Sequence, residues 1–521
     1  MKTLSIILIS MFLAVFGAIA QPLRVDMSNM DVQLMRDNDY VRLIGADNDA
    51  IFAIRINENN DLFLEQYDSQ SKLQQSVNQL VLPSSNGIQA TFLEMFYLDG
   101  KLILFTEVLN NTLRQKDIYV QYISESGQIV GESKRITRFE GENVGSEVIT
   151  ELTQNKQNIF IHYYHPFVKY NQEPFYFRVL GSDLEMKYDK GVQLLPMADK
   201  DFEIIDYEFH RTGRVYMLAK ITPEQRRRRS RGDVQYEYEL LLYDIDMKDV
   251  ESFDIRADRY VLKDLMMDID YDGNVDIYGL MSRKNKEELE GFYHKKFLIE
   301  TKEWARGDSK KENYVFDRSE TPFFRNERVS ELLDQVYNYS LKDIIYLGNG
   351  GSVVIAEHIN HWQDSTVDPQ TKKVVYYDYY KYNDILLAYT NPENNMEWMR
   401  RIPKSQWSYN DYGKYSSFYV TAQADWIMLF YNDHRKNIKN LNNKDLNGDN
   451  YKACRIPERI GIPTVVSVFS DGDVTGYEML SGKHKKYKIV PEMIKEFNET
   501  YYFYSKRNNK VAFGSFDIIL K

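Results

Sequence analysis

Between residues 41 and 515 the sequence repeats one unit eight times: an apolar strand, a short polar turn and a second apolar strand. Short polar turns between alternating apolar runs are typical of tight β-hairpins, and recurrence at roughly 50–75 residues is typical of radial β arrays. The repeat therefore predicts an all-β chain built from copies of one unit. The eight predicted turns are Asn48-Asp49, Asp99-Gly100, Asn155-Lys156, Thr212-Gly213, Asp272-Gly273, Gly348-Asn349-Gly350, Gln423-Ala424 and Asn498-Glu499.

Each hairpin is followed by two further strand-like runs. Segments 117–136 and 384–402 both open with Asp-Ile, carry a tyrosine five residues later and close with Arg-Ile. Looser copies lie at 61–80, 238–255 and 292–304. Four consecutive antiparallel strands per repeat are what a propeller blade requires, because neighbouring blades bury each other's faces. We therefore predict a β-propeller of eight four-stranded blades, with seven blades as the alternative.

The last repeat ends after three strand-like runs, which lie near 488–493, 501–505 and 511–519. Residues 22–40 precede the first full repeat and include Val32, Leu34 and Met35. We expect this N-terminal segment to supply the missing strand of the last blade. A closed ring of blades leaves no open edge that could pair with another chain.

One strand pair also supports a resemblance. Within 384–398 an Asp-Ile-apolar run is followed by a turn and by a strand that contains Trp398. This motif resembles the strand pair of secreted bacterial β-propeller repeat proteins, many of which have no assigned activity. The resemblance implies the fold alone, because the motif carries no catalytic residues.

Residues 1–20 have the features of an export signal. Lys2 provides a positive start, the apolar run 4–16 is too short to span a bilayer comfortably, and residues 18–20 form a small-x-small cleavage site. Cys454 is the only cysteine, so the chain cannot form an internal disulfide. We expect an exported protein that is periplasmic, associated with the outer surface, or extracellular.

The composition fits a water-exposed β protein. The formal net charge is −11, which disfavours non-specific binding to nucleic acid. Because no later apolar stretch is long enough to span a membrane, we expect no membrane span once the signal is cleaved. The repeat pattern makes residues 21–521 a single propeller domain.

The long connections all fall on one rim of the predicted propeller. Turns from the first to the second strand of a repeat are short, whereas other connections are long. Up-and-down alternation of strands places these connections on the same side, and loops on a rigid scaffold are where binding sites are usually built. The long loops are predicted at 222–235, 306–340, 360–383 and 433–461.

Three of these loops carry candidate binding residues, of which Asp433, His434 and Arg435 lie in the loop 433–461 and the others in two further loops. A dense cationic tract suits an anionic partner, although charge runs are also typical of flexible solvated loops. Exposed aromatic rings can stack on sugars or anchor a protein, although alternating tyrosines also simply pack an extended strand. The cationic residues are Arg226, Arg227, Arg228, Arg229 and Arg231, and the aromatic residues are Trp362, Tyr377, Tyr379, Tyr380 and Tyr382.

The sequence holds little catalytic or metal-binding signal. Segment 268–273 opens like a calcium loop, but Gly279 stands where a bidentate glutamate is needed. A structural Ca²⁺ is the one cofactor we consider, and its candidate ligands are Asp445, Asn447 and Asp449. One cluster on the elaborated rim has acid–base potential, although salt-bridged loop ends look the same in sequence; its residues are Asp433, His434 and Arg435.

Two functions therefore stay open. The first is a non-catalytic binding or scaffold propeller of a bacterial cell envelope, which engages a protein or glycan through its loop-rich face. The second is a carbohydrate-active enzyme, a hydrolase or a lyase, with acidic residues at the mouth of the central channel. We assign no catalytic residue from the sequence.

Overall fold

The structure, a computed structural model, is nearly all-β. The residues it describes are 23–27, 40–57, 59–70, 72, 74–85, 87–153, 155–164, 172–198, 202–210, 212–222, 236–244, 250–257, 259–283, 289–306, 313–315, 339–443, 450–508 and 510–519. These residues form eight sheets of at least four strands and one small two-stranded sheet. We number the eight larger sheets in chain order.

The first half of the chain builds sheets 1 to 4. Strand β1 is Leu23–Met27, and sheet 1 contains β2 (Tyr40–Ala46), β3 (Ala50–Ile56), β4 (Leu62–Asp68) and β5 (Gln74–Gln79). The two-stranded sheet is β6 (Ser84–Ser85) with β7 (Ile88–Gln89), and sheet 2 contains β8 (Thr91–Leu98), β9 (Lys101–Asn110), β10 (Gln115–Ile123) and β11 (Ile129–Glu140). Sheet 3 contains β12 (Glu147–Leu152), β13 (Asn158–Tyr164), β14 (Gln172–Gly181) and β15 (Met186–Ala198). Sheet 4 contains β16 (Phe202–His210), β17 (Arg214–Ile221), β18 (Glu237–Asp244) and β19 (Glu251–Ile255).

Sheets 5 and 6 carry extra strands. Sheet 5 contains β20 (Tyr260–Ile269), β21 (Val275–Arg283), β22 (Leu289–Leu298), β23 (Glu303–Trp304) and β24 (Asn313–Val315). Sheet 6 contains β25 (Tyr339–Tyr346), β26 (Ser352–Val367), β27 (Val374–Thr390), β28 (Met396–Ile402) and β29 (Gln406–Tyr409), and it receives one later strand.

The remaining elements complete sheets 6 to 8. Sheet 7 begins with β30 (Tyr419–Gln423) and β31 (Trp426–Asp433), after which come helix α1 (Arg435–Asn442), strand β32 (Cys454–Arg455) of sheet 6 and helix α2 (Pro457–Ile460). Sheet 7 ends with β33 (Ile462–Phe469) and β34 (Val474–Glu478). Sheet 8 contains β35 (Lys488–Ile489), β36 (Lys495–Phe497), β37 (Thr500–Arg507), β38 (Lys510–Ile518) and β1. Short 3₁₀ turns lie at Gly141–Gly145, Gly482–Lys486 and Pro491–Met493.

Consecutive residues of the second strands pack against different neighbours. In β31, Leu429 belongs to the apolar cluster shared with sheet 6, whereas Phe430 belongs to the cluster shared with sheet 8. In β21, Ile277 likewise belongs to the cluster shared with sheet 4, and Tyr278 belongs to the cluster shared with sheet 6. Side chains alternate between the faces of a strand, so a sheet covered on both faces needs an unbroken apolar run. This packing explains why the repeats read as apolar runs.

Eight apolar clusters join the sheets in sequence. Seven join each sheet to the next one along the chain, and the remaining cluster joins sheet 8 to sheet 1. In that last cluster the rings of Tyr67 and Phe513 lie 3.9 Å apart, centroid to centroid. The first and last repeats of the sequence are therefore packed against each other.

The N-terminal segment adds a strand to the last sheet. Strand β1 runs antiparallel to β38, from the pair Leu23 with Ile518 to the pair Met27 with Gly514. The strand lies nearer the start of segment 22–40 than the sequence suggested, and Val32, Leu34 and Met35 are outside the described residues. Chain-terminal pairing thus adds β1 to the edge of sheet 8 beside β38, while β35 and β36 both pair with β37 on the other side.

All eight predicted hairpins are confirmed as antiparallel strand pairs. The second hairpin shows the chemistry: Asp99 and Gly100 both have positive φ, at 50° and 73°, which a tight turn between twisted strands requires. Two predicted loops are more ordered than expected. Segment 360–383 is largely two long strands, and segment 433–461 contains α1, β32 and α2.

We predict that β1 stabilises the fold through its buried residues. Leu23 is buried in the cluster between sheets 7 and 8, so Leu23→Ala is expected to lower the free energy of unfolding by about 2–3 kcal/mol. Arg24 is exposed on the same strand, so Arg24→Ala is expected to change it by less than about 0.5 kcal/mol. Urea denaturation measures both, and equal effects would contradict the assignment of β1.

Candidate functional site

The most distinctive surface is an extension of sheet 6. Strands β26 and β27 are 16 and 17 residues long, and they stay paired out to Val367 and Val374. The prediction of a long loop at 360–383 is therefore wrong, because only the turn at 368–373 connects the two strands. The physical reason is composition: tyrosine and valine favour the extended, half-buried conformation of a strand.

Two later segments widen this extension. Strand β29 pairs antiparallel with β27 from Tyr379 to Tyr382, and β32 pairs with β29 in parallel. The result is a four-stranded surface that stands beyond the ordinary strands of sheet 6. We call residues 359–367, 374–382, 406–409 and 454–455 the aromatic sheet.

One face of the aromatic sheet carries a continuous group of rings. The strand register places Trp362, Tyr379 and Tyr409 in one row across three strands. The rings of Trp362 and Tyr379 are stacked with centroids 5.2 Å apart, and the rings of Tyr379 and Trp407 are stacked at 5.8 Å. Tyr377 joins the group with its ring 6.0 Å from that of Tyr409. Trp362 and Tyr409 remain 37% and 38% exposed.

The opposite face divides the predicted aromatic residues. Tyr380 stacks on His361 with centroids 4.5 Å apart and lies near the exposed Tyr412. Tyr382 lies on the same face as Tyr380 and is half-buried, and burial raises the pKa of its hydroxyl to about 12. Of the predicted binding residues, Trp362, Tyr377 and Tyr379 therefore share one face, whereas Tyr380 and Tyr382 share the other.

A buried ionic network fixes the base of the aromatic sheet. The Lys404 ammonium donates to Glu357 Oε1 at 2.5 Å and to Gln406 Oε1 at 2.9 Å, and all three side chains are buried. The second carboxylate oxygen of Glu357 accepts from the Ser417 hydroxyl at 2.6 Å. Because a buried charge is costly without a partner, this network holds β29 in one position relative to β26. Gln406 also donates to the carbonyl oxygen of Asn432 in sheet 7.

The predicted cluster of Asp433, His434 and Arg435 starts helix α1 and does not converge on one point. Asp433 is fully buried, which raises the pKa of its carboxyl to about 7, and it accepts from Asn437 Nδ2 at 2.9 Å. His434 is the N-cap, whose Nδ1 accepts from the Lys436 N–H at 3.2 Å. Arg435 points outward to Glu478. These contacts give each of the three residues a structural role, although Asp433 Oδ2 is buried without a hydrogen-bond partner among the described residues.

The remaining predicted residues either lie outside the described part of the chain or form a hairpin turn. The cationic residues Arg226, Arg227, Arg228, Arg229 and Arg231 lie outside the described residues, as do Asp445, Asn447 and Asp449. Asp270 accepts from the N–H groups of Asp272 and Asn274, so the calcium-like segment is a hairpin turn. In the described part of the chain no group of three or more His, Cys, Asp or Glu residues could hold a metal ion.

The structure also reveals acidic residues that the sequence reading missed. The first strands of sheets 4, 5 and 6 each carry a β-bulge that is followed at once by an aspartate. Asp206 Oδ2 accepts the N–H of Met267 in the next sheet at 2.9 Å, and Asp264 Oδ2 accepts the N–H of Leu341 in the same manner at 2.9 Å. Asp343 accepts the N–H of its own neighbour, Ile344. Asp206 and Asp264 therefore tie the first strands of sheets 4, 5 and 6 together.

Burial and mutual repulsion change the acidity of this group. Burial raises the pKa of Glu208 to about 9, and repulsion from Asp268 and Asp206 adds to the shift. Burial likewise raises the pKa of Asp268 to about 7 and those of Asp206 and Asp343 to about 6. Carboxyl groups with such pKa values can act as proton donors near neutral pH, which is the property that a general acid needs.

A sequence signal for these residues was present. Leu-Lys-Asp occurs at 262–264 and again at 341–343, and Ile-Ile-Asp occurs at the matching position 204–206. In each triplet the middle residue is the bulge and the aspartate follows it. A comparison of repeats at their first strands, rather than at their turns, would have found the motif.

The chain is similar to solved structures only at low identity. The WD40 domain of SCAP from fission yeast is 8% identical with a TM-score of 0.37, over 95% of this chain and 94% of that one. The β-propeller domain of the trilobed protease from Pyrococcus furiosus is 9% identical with a TM-score of 0.33, over 85% and 99% of the two chains. An ulvan lyase of a polysaccharide lyase family is 8% identical with a TM-score of 0.34, over 94% and 95%.

No protein-family model and no curated protein sequence matches the chain. The structural similarities are too weak to carry an argument about activity or partners. Any function for this chain therefore has to be argued from its own residues.

We predict that the first-strand acidic group makes stability fall as the pH rises. The pKa of Glu208 is higher in the folded protein than in the unfolded chain, so folding loses stability between the unfolded value of 4.5 and about 9. Glu208→Gln is expected to raise the Tm by about 2 °C near pH 8 and to leave it unchanged near pH 4. Differential scanning fluorimetry across pH measures the effect.

The matched control for this experiment is Glu203→Gln. Glu203 is exposed on the same strand, β16, so its substitution should leave the Tm unchanged at both pH values. A gain for Glu208→Gln that persists at low pH would contradict the electrostatic explanation.

Proposed function

We propose that this protein is an exported, eight-bladed β-propeller that works as a non-catalytic binding or scaffold protein of a bacterial cell envelope. The observation that carries the proposal is the aromatic sheet. It presents a group of part-exposed rings on a braced surface, and aromatic rings of this kind contribute most of the binding energy at many interfaces. We propose that the partner, a protein or a glycan, is engaged there.

Several observations support the eight-bladed ring. The eight large sheets match the eight sequence repeats, and an apolar cluster links sheet 8 to sheet 1. Strand β1 completes sheet 8, as the closing strand of a propeller would. Residues 1–20 support export, with the periplasm, the outer surface or the extracellular space as the destination.

The character of the chain also limits the class of partner. Its net charge of −11 argues against nucleic acid as a partner. Among the described helices, none has the length and apolar character required to cross a membrane. A protein or a glycan in the envelope is therefore the partner class that we propose.

We predict that aromatic residues on the stacked face are required to bind this partner. Photo-crosslinking groups placed at residue 364 or 409 should capture the partner in the native envelope. Trp362→Ala combined with Tyr379→Ala should reduce the captured fraction about tenfold or more, because loss of aromatic anchors costs several kcal/mol at an interface. Mass spectrometry of the crosslinked species measures the capture.

The control variant is Tyr376→Ala, which removes a 61% exposed ring from the opposite face of the same hairpin. Capture should persist in this variant. A second variant lacks residues 226–231 and tests the cationic tract separately. Unchanged capture in the Trp362 and Tyr379 double variant, with its fold intact by circular dichroism, would refute the proposal.

The alternative function is a carbohydrate-active enzyme, and the first-strand acidic group favours it. If the sheets form a ring, Glu208, Asp268 and Asp343 lie on the strands that line its channel, and two have pKa values near those of a general acid. Release of reducing ends or unsaturated products from polysaccharides tests this function. Loss of such activity in Asp268→Asn, with the Tyr379→Ala variant fully active, would replace the binding proposal.

A further inference from the structure

We infer that the ligand of the aromatic sheet is an anionic polysaccharide, whose sugar rings stack on the aromatic side chains while its carboxylate or sulfate groups pair with Lys381 and Arg455. The inference rests on the proposed binding function and names its ligand class. It depends on three features of one sheet face: a row of cations, a row of rings, and an open linear shape.

The row of cations follows from the strand register. Asn360 pairs with Lys381, Lys381 pairs with Trp407, and Trp407 pairs with Arg455. Side chains of directly paired residues lie on the same face of a sheet, so these residues form one line across all four strands. Trp407 is thus flanked on both sides by a positively charged residue.

The row of rings lies next to this line. Trp362, Tyr379 and Tyr409 are each two residues along their strands from Asn360, Lys381 and Trp407, so they share the same face. The ring planes of Trp362 and Tyr379 differ by 16°, and those of Tyr379 and Trp407 by 26°. Tyr379 is stacked between its neighbours, whereas Trp362 and Tyr409, at the two ends of the row, remain part-exposed and are the rings on which we infer that sugar units pack.

The charge on this face is opposite in sign to that of the whole chain. The protein carries a net charge of −11, whereas the row at the base of the aromatic sheet contains two cations. Arg455 is exposed, and within the described ranges no ion pair involves it. The one acidic residue of the same face, Asp364, lies two rows away beside Tyr377, towards the tip. Charge complementarity therefore places the anionic groups of the ligand along the row of Lys381 and Arg455, at the base of the aromatic sheet and away from its tip.

The shape of the surface favours a polymer over a protein. Protein hot spots are usually clustered in pockets that exclude water. Here the rings and the cations lie in straight rows on an open sheet face, which matches a linear chain of repeating units. An arginine guanidinium also binds carboxylate or sulfate oxygens through two parallel donors.

Affinity electrophoresis of the full mature chain tests the inference. Native gels would contain polygalacturonate, dextran sulfate or neutral dextran, so that carboxylate and sulfate recognition are separated. We expect retardation by at least one polyanion, weakening with added salt, and no retardation by dextran. Arg455→Gln and Trp362→Ala should each weaken binding on the order of tenfold, as expected from the loss of one charged or stacked contact.

Matched controls separate this site from general charge effects. Arg435→Gln removes an exposed cation beside Glu478, and Tyr376→Ala removes an exposed ring from the other face; both should bind as the parent protein does. Loss of binding only when the arginines at 226–231 are replaced would overturn the inference. Equal retardation by dextran, or none by either polyanion, would overturn it as well.

The same set of outcomes distinguishes the two proposals. If no polysaccharide binds but a protein is still crosslinked at the aromatic sheet, the inference of a glycan ligand fails and the proposed binding function stands. If neither a glycan nor a protein is captured there, both fail.

Discussion

Each of the eight large sheets in the described part of the chain has two apolar faces, and each face is covered by a neighbouring sheet. Residues such as Leu429 and Phe430 are adjacent in sequence yet belong to the clusters of different neighbours, so no sheet could be stable in water alone. The same requirement applies to the first and last sheets. It is met by the cluster that contains Tyr67 and Phe513, and strand β1 covers the edge of β38. The rest of the architecture depends on this mutual coverage.

The first strands of the sheets combine that coverage with polar chemistry. A bulge in the first strand turns an aspartate towards the next sheet, where Asp206 and Asp264 accept backbone N–H groups of the following first strand. These hydrogen bonds fix the spacing of neighbouring sheets, but they also gather several carboxyl groups in a partly buried region. The raised pKa values of Glu208 and Asp268 mean that ionising these carboxyl groups is unfavourable in the fold. The apolar clusters between the sheets offset this cost in stability.

The aromatic sheet is an extension of sheet 6 and presents its aromatic residues on that scaffold. Two of its strands, β26 and β27, continue from sheet 6. The buried network of Lys404, Glu357 and Gln406 holds its third strand, β29, against them. A binding surface gains affinity when its side chains are held in place before the ligand arrives. The rings of Trp362, Tyr379 and Trp407 are therefore presented by strands rather than by a mobile loop.

Sequence reasoning found the features that depend on local residues. Turns such as Asp99-Gly100 were identifiable because positive φ angles select particular residue types. The aromatic residues at 362–382 were also identifiable, but not their arrangement, because it depends on pairing of β29 with β27 and of β32 with β29, which come from later parts of the sequence.

The burial of individual polar residues could not be predicted from the sequence either. Asp433 was predicted to belong to an acid–base cluster on the rim, yet it is fully buried, and this burial, which raises the pKa of its carboxyl, depends on the packing of the whole fold. The Leu-Lys-Asp triplets could be recognised in the sequence. The raised pKa values of Asp264 and Asp343, however, depend on burial by contacts between sheets.

We propose that this protein acts through the aromatic sheet rather than through the acidic first strands. Hydrogen–deuterium exchange of the mature protein, with and without native envelope fragments, tests it most directly. We expect slower exchange on binding at 359–382 and 406–409. Protection confined to the first strands at 202–210, 260–269 and 339–346 would contradict this expectation and would favour a site among their acidic residues.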